Sequence, residues 1–273
     1  MTDTQHPVAG GVDVGTECVK SVVVADDGRV IGRAVVPTRG YFQACAYEAL
    51  AAALDDAQRR EADLAGVGAT GFGMQCVPQA TVTTTESAAH ALGAWHHLHQ
   101  AMTLVNIGGR DPHVILVDAG GHRVAARGAR SCALGIGSFL MFTARHLDVS
   151  ATRLQELAAA ADKPVPVSSY CSVFSNTEVL ERLREGASRE QIALGTMHSI
   201  AERILEIGGF EDPVVVCGGV VEYFPGVLRA LETLAGVKVT AVPEPIFTGA
   251  LGAALRVFHQ PRASDTLAAG AVA

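Results

Sequence analysis

The sequence predicts a duplicated α/β protein, two copies of one mixed strand-and-helix unit, and three observations predict it. Residues 10–36 read GGVDVGTECVKSVVVADDGRVIGRAVV, three β-branched runs separated by glycine turns, the pattern of a β-meander. Residues 104–128, LVNIGGRDPHVILVDAGGHRVAARG, repeat that order: Asn106 falls opposite Asp13, Gly108 opposite Gly15, and Gly120-Gly121 opposite the second turn. The offset is about 93 residues, too long for a solenoid and suited to two duplicated halves. Finally, a short apolar run into glycines occurs twice, as GVGATGFG at 66–73 and VVVCGG at 214–219.

Taken in order, the first strand ends at Asp13. A second covers Ser21–Val24, and a third, after the turn Asp27-Gly28, covers Val30–Val36. Ala44–Arg60 reads as a helix, with Tyr47, Leu50 and Leu54 at helical spacing. The second meander follows. Thr152–Ala161 reads as a helix opened by Thr152 with Gln155 three residues on, a capping-box pattern. Ile192–Ile207 follows Ser188, another helix begins near Pro225, and the last spans Gly249–Phe258 ahead of a frayed tail, QPRASDTLAAGAVA. The expected division is a first domain over 1–102, a second over 103–245, a C-terminal helix over 246–260 and a flexible tail over 261–273.

Composition agrees with a packed α/β protein. Of 273 residues, 49% are hydrophobic and 18% charged, which excludes a disordered chain and allows a sizeable core. The formal net charge of -7 argues against nucleic acid or an anionic membrane surface as partners. The N-terminal stretch MTDTQHPVAGG does not read as a signal peptide, and the apolar runs are too short to span a bilayer. Six scattered cysteines read as free thiols or ligands in a reducing cytoplasm.

The glycine hairpins suit a nucleotide polyphosphate, because backbone N–H groups there can approach phosphate oxygens closely. Around them, Gly15, Thr16, Gly108, Gly109, Arg110, Gly218 and Gly219 are the expected nucleotide contacts. Asp13 offers oxygen to Mg²⁺ or its waters, and Lys20 offers a point charge to phosphate. The set is neither a G-x(4)-GK[ST] loop nor a G-x-G-x-x-G opening a helix. Asp13-Val14-Gly15, Asn106-Ile107-Gly108-Gly109 and Cys217-Gly218-Gly219 resemble the two phosphate motifs and the adenosine motif of the actin-like, sugar-kinase-like ATPases. That resemblance implies an actin-like (ribonuclease H-like) ATPase fold, α/β, with ATP or ADP in a cleft between two domains. It also implies that the final helix returns to complete the first domain.

Two cysteines stand apart. Cys132, in SCALGIGSFL, and Cys171, in SSYCSVFSNTEV, each precede what reads as a helix, where dipole and free N–H groups favour a thiolate. Iron–sulfur clusters usually take four thiolates, so two per chain leave a set that a two-fold dimer would complete. The competing reading of such a cysteine is a small buried hydrophobe, and it is the one adopted for Cys18, Cys45, Cys76 and Cys217.

From Gly10 to Phe258 the chain resembles the ATP-dependent activators of 2-hydroxyacyl-CoA dehydratases and the related ATPase subunits of benzoyl-CoA reductase. The cysteine segments and the Glu86 segment, TESAAHALGA, carry that narrower resemblance. It implies one 4Fe–4S cluster per dimer, bound by Cys132 and Cys171, in a homodimer or a pseudo-symmetric heterodimer. It also implies ATP-coupled electron transfer in anaerobic metabolism, from a ferredoxin or flavodoxin donor to a partner acyl-CoA dehydratase or reductase. Asp13, Glu86 and Asn106 become the candidate catalytic residues. Asn106 stands where the activators usually have Asp and cannot serve as a carboxylate, so either hydrolysis is slow or the role passes to Asp13 or Glu86. Two alternatives stay open: a small-molecule kinase of the same superfamily with Asp111 or Glu86 as base, and a structural zinc clamp on the same thiolates. The run His90, His96, His97 and His99 does not have a zinc spacing and reads as a solvent-facing helix, with Trp95 as an anchor between helices.

Overall fold

The computed structural model describes residues 7–128, 135–167 and 172–259. Cys132, Cys171 and the tail over 261–273 therefore lie outside the described residues.

The first meander forms as its turns dictate. Val8–Val14 (β1) pairs antiparallel with Cys18–Ala25 (β2), which pairs antiparallel with Val30–Pro37 (β3). Parallel to β1 runs Leu64–Thr70 (β4), and parallel to that Val82–Thr83 (β5), giving the order β3-β2-β1-β4-β5. β1 is buried along its whole length because helix Phe42–Asp56 (α1) and helix Thr248–Phe258 (α9) both pack on it. The second sheet repeats the plan with Met102–Asn106 (β6), His113–Val117 (β7), Arg123–Gly128 (β8), Val214–Cys217 (β9) and Val239–Ala241 (β10), in the order β8-β7-β6-β9-β10. Strand directions match as well, antiparallel along the meander and parallel beyond it. The expected duplication is thus a duplication of topology.

Helix Glu86–Leu98 (α2) and α9 lie between the sheets. One apolar cluster joins Ala91 and Ala94 of α2 to Leu104, Ile115 and Cys217 of the second sheet. Another joins Leu92, Leu251 and Leu255 to Val22 and Val24 of the first, and Trp95 touches both. The two helices meet at backbone distance: a Cβ on Gly252 would lie 1.8 Å from the Ala89 carbonyl oxygen, and one on Gly93 2.0 Å from that of Thr248. The largest cluster sits behind the second sheet, among helices Gly135–His146 (α3), Ala151–Ala160 (α4), Arg189–Leu205 (α6) and Pro225–Ala235 (α8). Ser172–Arg184 (α5) packs against α3. Gly219–Tyr223 (α7) follows β9.

Several local expectations need correction. β2 is longer than Ser21–Val24, because Val19 and Lys20 still pair with both neighbouring strands and Cys18 with Pro37 of β3. α1 stops at Asp56, as Gln58 turns to positive φ two residues on. The cap of α4 is Ser150 and not Thr152: the Arg153 N–H donates to the Ser150 hydroxyl oxygen at 3.1 Å. A reciprocal capping box does form at Ser188, between Ser188 and Gln191, ahead of α6. No described helix is long and apolar enough to cross a membrane.

Candidate active site

The ends of β1, β6 and β9 and the first turn of α2 open onto one cleft of about 680 Å³. Of the residues singled out in the sequence, Asp13, Gly15, Thr16, Lys20, Glu86, Asn106, Gly108, Gly109, Arg110, Gly218 and Gly219 all line it. Cys132 and Cys171 lie outside the described residues. The topology explains the convergence: the strand ends of two equivalent sheets point into the same space, where glycine turns leave backbone exposed.

On the first sheet, Asp13 is only 3% exposed and sits opposite Lys20 in the β1–β2 register. The Lys20 ammonium lies 2.9 Å from Asp13 Oδ2. Burial disfavours that charge, but Asp13, aided by Glu86, outweighs it and holds Lys20 protonated beyond the ordinary lysine range. Burial likewise keeps the Cys18 thiol protonated, against the pull of Lys20. Cys18 is half-buried on the cleft wall, so the expectation of full burial fits Cys45 and Cys217 and not Cys18 or Cys76.

The second sheet holds a neutral set. Asn106, 2% exposed, donates from Nδ2 to Glu86 Oε1 at 3.0 Å. A carboxylate only accepts, so the amide must turn its oxygen the other way, toward Cys217, whose Sγ lies 3.8 Å from Asn106 Oδ1. His90 Nδ1 lies 3.5 Å from the same sulfur. Burial raises the Cys217 thiol far above its ordinary range, with Glu86 and Asp13 adding to the effect. Burial also lowers His90, against the attraction of Asp13, which leaves the ring neutral. Sequence reasoning placed His90 on a solvent-facing helix and Cys217 among inert hydrophobes, and it missed their pairing. Among the described residues no group of three or more His, Cys, Asp or Glu is arranged to hold a metal. Trp95 anchors across the sheets and not only between helices, donating from Nε1 to the Ala119 carbonyl at 2.8 Å.

The two phosphate turns meet. A Cβ on Gly109 would lie 2.5 Å from Glu17 Cγ. Helix α3 is tied to both: the Ile136 and Gly137 N–H groups donate to the Arg110 and Gly109 carbonyls at 3.0 and 2.9 Å, and the Ser138 hydroxyl donates to Glu17 Oε1 at 3.2 Å. Arg110 reaches the cleft mouth, where its guanidinium lies 5.0 Å from the Phe72 ring centroid and pairs with Asp111 at 3.2 Å. Glu17, Ser138 and Phe72 carry no sequence signal, because their partners are remote in the chain. Gly219, Val220, Tyr223, Phe224 and Ile246 also line the cleft, a largely apolar set suited to an adenine ring. The arrangement thus offers a buried carboxylate, a buried cation, facing glycine turns and an apolar slot, the parts list for binding and hydrolysing a nucleoside triphosphate.

Residues 11–257 match the model of the BadF/BadG/BcrA/BcrD ATPase family. The activator of lactoyl-CoA dehydratase from Anaerotignum propionicum is 34% identical over 91% of this chain and 96% of its own length. The crystal structure of component A of (R)-2-hydroxyglutaryl-CoA dehydratase from Acidaminococcus fermentans superposes with a TM-score of 0.86 at 32% identity, covering 92% of this chain and 98% of that one. The activator of 2-hydroxyisocaproyl-CoA dehydratase from Clostridium difficile, solved with bound ADPNP, superposes with a TM-score of 0.85 at 26% identity, covering 97% and 98%.

Proposed function

We propose, on the premise that this chain belongs to the BadF/BadG/BcrA/BcrD ATPase family, that it hydrolyses ATP in the cleft to drive low-potential electrons onto a partner acyl-CoA dehydratase or benzoyl-CoA reductase-type enzyme. The reading includes a cytoplasmic homodimer, or a pseudo-symmetric heterodimer, with Cys132 and Cys171 of each subunit holding one shared 4Fe–4S cluster. The observation that supports it best is the tie between the nucleotide turns and α3. The carbonyls of Gly109 and Arg110 accept from the first N–H groups of the helix that follows Cys132. Any shift of that turn on nucleotide binding must move the first turn of α3, and α3 packs on α5, the helix that starts directly after Cys171. Nucleotide acts this way only through different affinity for the two arrangements.

The roles of the chain's residues follow from their surroundings. Glycine turns at Gly15, Gly108 and Gly109 present N–H groups to phosphate, and Lys20 adds a point charge. Val220, Phe224 and Ile246 shield the base. Glu86, held by Asn106, orients the attacking water and accepts its proton. Asp13, a buried carboxylate at the cleft end, fits a hard divalent cation, which when bound supplies charge neutralisation for the phosphates. Two thiolates per subunit fit half of a four-sulfur donor set, and the cluster they would share supplies single electrons from a ferredoxin or flavodoxin. The acyl-CoA thioester is reduced on the partner and not on this chain.

Anaerobic purification with assay of colour, iron and sulfide tests the reading. Brown dimeric protein that loses iron in Cys132→Ala and Cys171→Ala is the expected result. Colourless, iron-free protein after anaerobic reconstitution would overturn it. ATP turnover stimulated by a small-molecule acceptor in such iron-free protein would point to a kinase, and bound zinc to a structural clamp.

A further inference from the structure

The ammonium of Lys20 occupies the place on Asp13 that a divalent cation would take. It lies 2.9 Å from Oδ2 of a carboxylate that is 5% exposed, and is itself only 13% exposed. A buried carboxylate of this kind cannot be left without a counter-charge. An ammonium already on Oδ2 opposes a dication on the same oxygen, because the two cations repel at that distance. The same ammonium is pressed against the phosphate turn: a Cβ on Gly15 would lie 3.0 Å from Lys20 Nζ. The side chain therefore stands between two anionic positions, the carboxylate on one side and the space for phosphate on the other.

We propose that Lys20 is a resident cation that closes Asp13 to divalent metal until a nucleotide phosphate draws it away, so that metal binds with or after nucleotide and not before it. This rests on the reading above that Asp13 takes the divalent ion. In the nucleotide-free chain, Lys20 neutralises Asp13 and keeps free divalent ions out. When phosphate reaches the Gly15 turn, Lys20 pivots toward it by side-chain rotation, and Asp13 is released. Asp13 is never left without a counter-charge, and the nucleotide phosphates balance the charge that Lys20 and the divalent ion bring together.

Mn²⁺ binding followed by electron paramagnetic resonance, without any turnover, tests this in the full chain. Without nucleotide, the unaltered protein is expected to bind Mn²⁺ weakly, and Lys20→Met at least tenfold more tightly. Asp13→Asn in the Lys20→Met background is expected to abolish that gain. Lys20→Gln, which keeps a hydrogen-bond donor beside Asp13, serves the same purpose if Met is not tolerated, with thermal melts reporting folding. With ADP present, the unaltered protein should hold Mn²⁺ more tightly than ADP does in solution, and Asp13→Asn should not. Tight Mn²⁺ binding by the unaltered, nucleotide-free protein, or no gain in the Lys20 variants while Asp13→Asn still removes the ADP-dependent binding, overturns the exclusion and leaves the metal assignment standing. ADP-dependent Mn²⁺ binding that survives in Asp13→Asn overturns the metal assignment itself, and the exclusion with it.

Discussion

Asp13 and Asn106 hold the same place in two copies of one sheet, yet their surroundings differ in charge. Asp13 is opposite Lys20 on one neighbouring strand and Thr70 on the other; Asn106 is opposite His113 and Cys217. The glycine that follows each outer partner is also shared. Gly71 and Gly218 both have positive φ, and a Cβ on either would strike the side-chain oxygen of Asp13 or Asn106, at 2.4 and 2.7 Å. The backbone is thus duplicated down to the turn. The difference is charge: Asp13 in the first copy is one half of a buried ion pair, whereas Asn106 in the second is a neutral amide that links the Glu86 carboxylate to Cys217 and, through it, to His90. In the function proposed above, this difference divides labour between the halves, one holding metal and phosphate while the other orients a base.

The strongest way to break this comparison is to remove the carboxylate of the first half and leave the Lys20 charge unpaired. Asp13→Asn is expected to lower ATPase kcat by on the order of a hundredfold or more, as loss of transition-state charge stabilisation does. Steady-state kinetics on protein shown to be folded decides it, and near-normal turnover would mean the charge of the first half is dispensable. The seam between the halves comes next. Gly252→Ala drives a Cβ into the Ala89 carbonyl, and a loss of about 2–3 kcal/mol in chemical denaturation is expected.

Charging the second half should cost less. Asn106→Asp removes the donor to Glu86 and puts a second carboxylate about 3 Å away, which raises the pKa of one of them. Turnover is expected to fall roughly tenfold, about 1.4 kcal/mol, with the acid limb of the pH–rate profile moved to higher pH. A faster enzyme would mean that the second half also works best as a carboxylate site. Smaller still is Arg110→Ala, which removes the contact with Phe72 across the cleft mouth. An effect of about 0.5–1 kcal/mol on nucleotide affinity, read by calorimetry, is expected.

The last test uses pH. Burial lowers His90, so the unfolded chain takes up a proton there that the folded chain refuses. Its penalty is absent above the ordinary histidine pKa of about 6.5 and grows as pH falls below it. Thermal melts from pH 7 to 5 should show a shallower loss of stability in His90→Gln than in the unaltered protein. Equal slopes would show that the ring is protonated in place.

Much of this was legible in the chain. The meanders, their repetition and the glycine-linked polar residues at the strand ends depend on residues within a few positions of each other, where turn chemistry and strand pattern decide the outcome. The helix over 44–60 was placed correctly but ended too late, and the cap of α4 was assigned to the wrong hydroxyl, since Ser150 and Thr152 carry equal capping signals. His90 was misread because α2 looks polar at its histidines, yet it is enclosed by α9 and the second sheet.

Sequence alone determined the fold class and which strand ends would run into glycine turns, because hydrophobic period and glycine placement act locally. Only the tertiary structure decided the partners: Cys217 meets His90 across 127 positions, and Ser138 meets Glu17 across 121. Contacts of that span depend on how two sheets and the helices between them pack, which shape and burial decide together and no local pattern encodes.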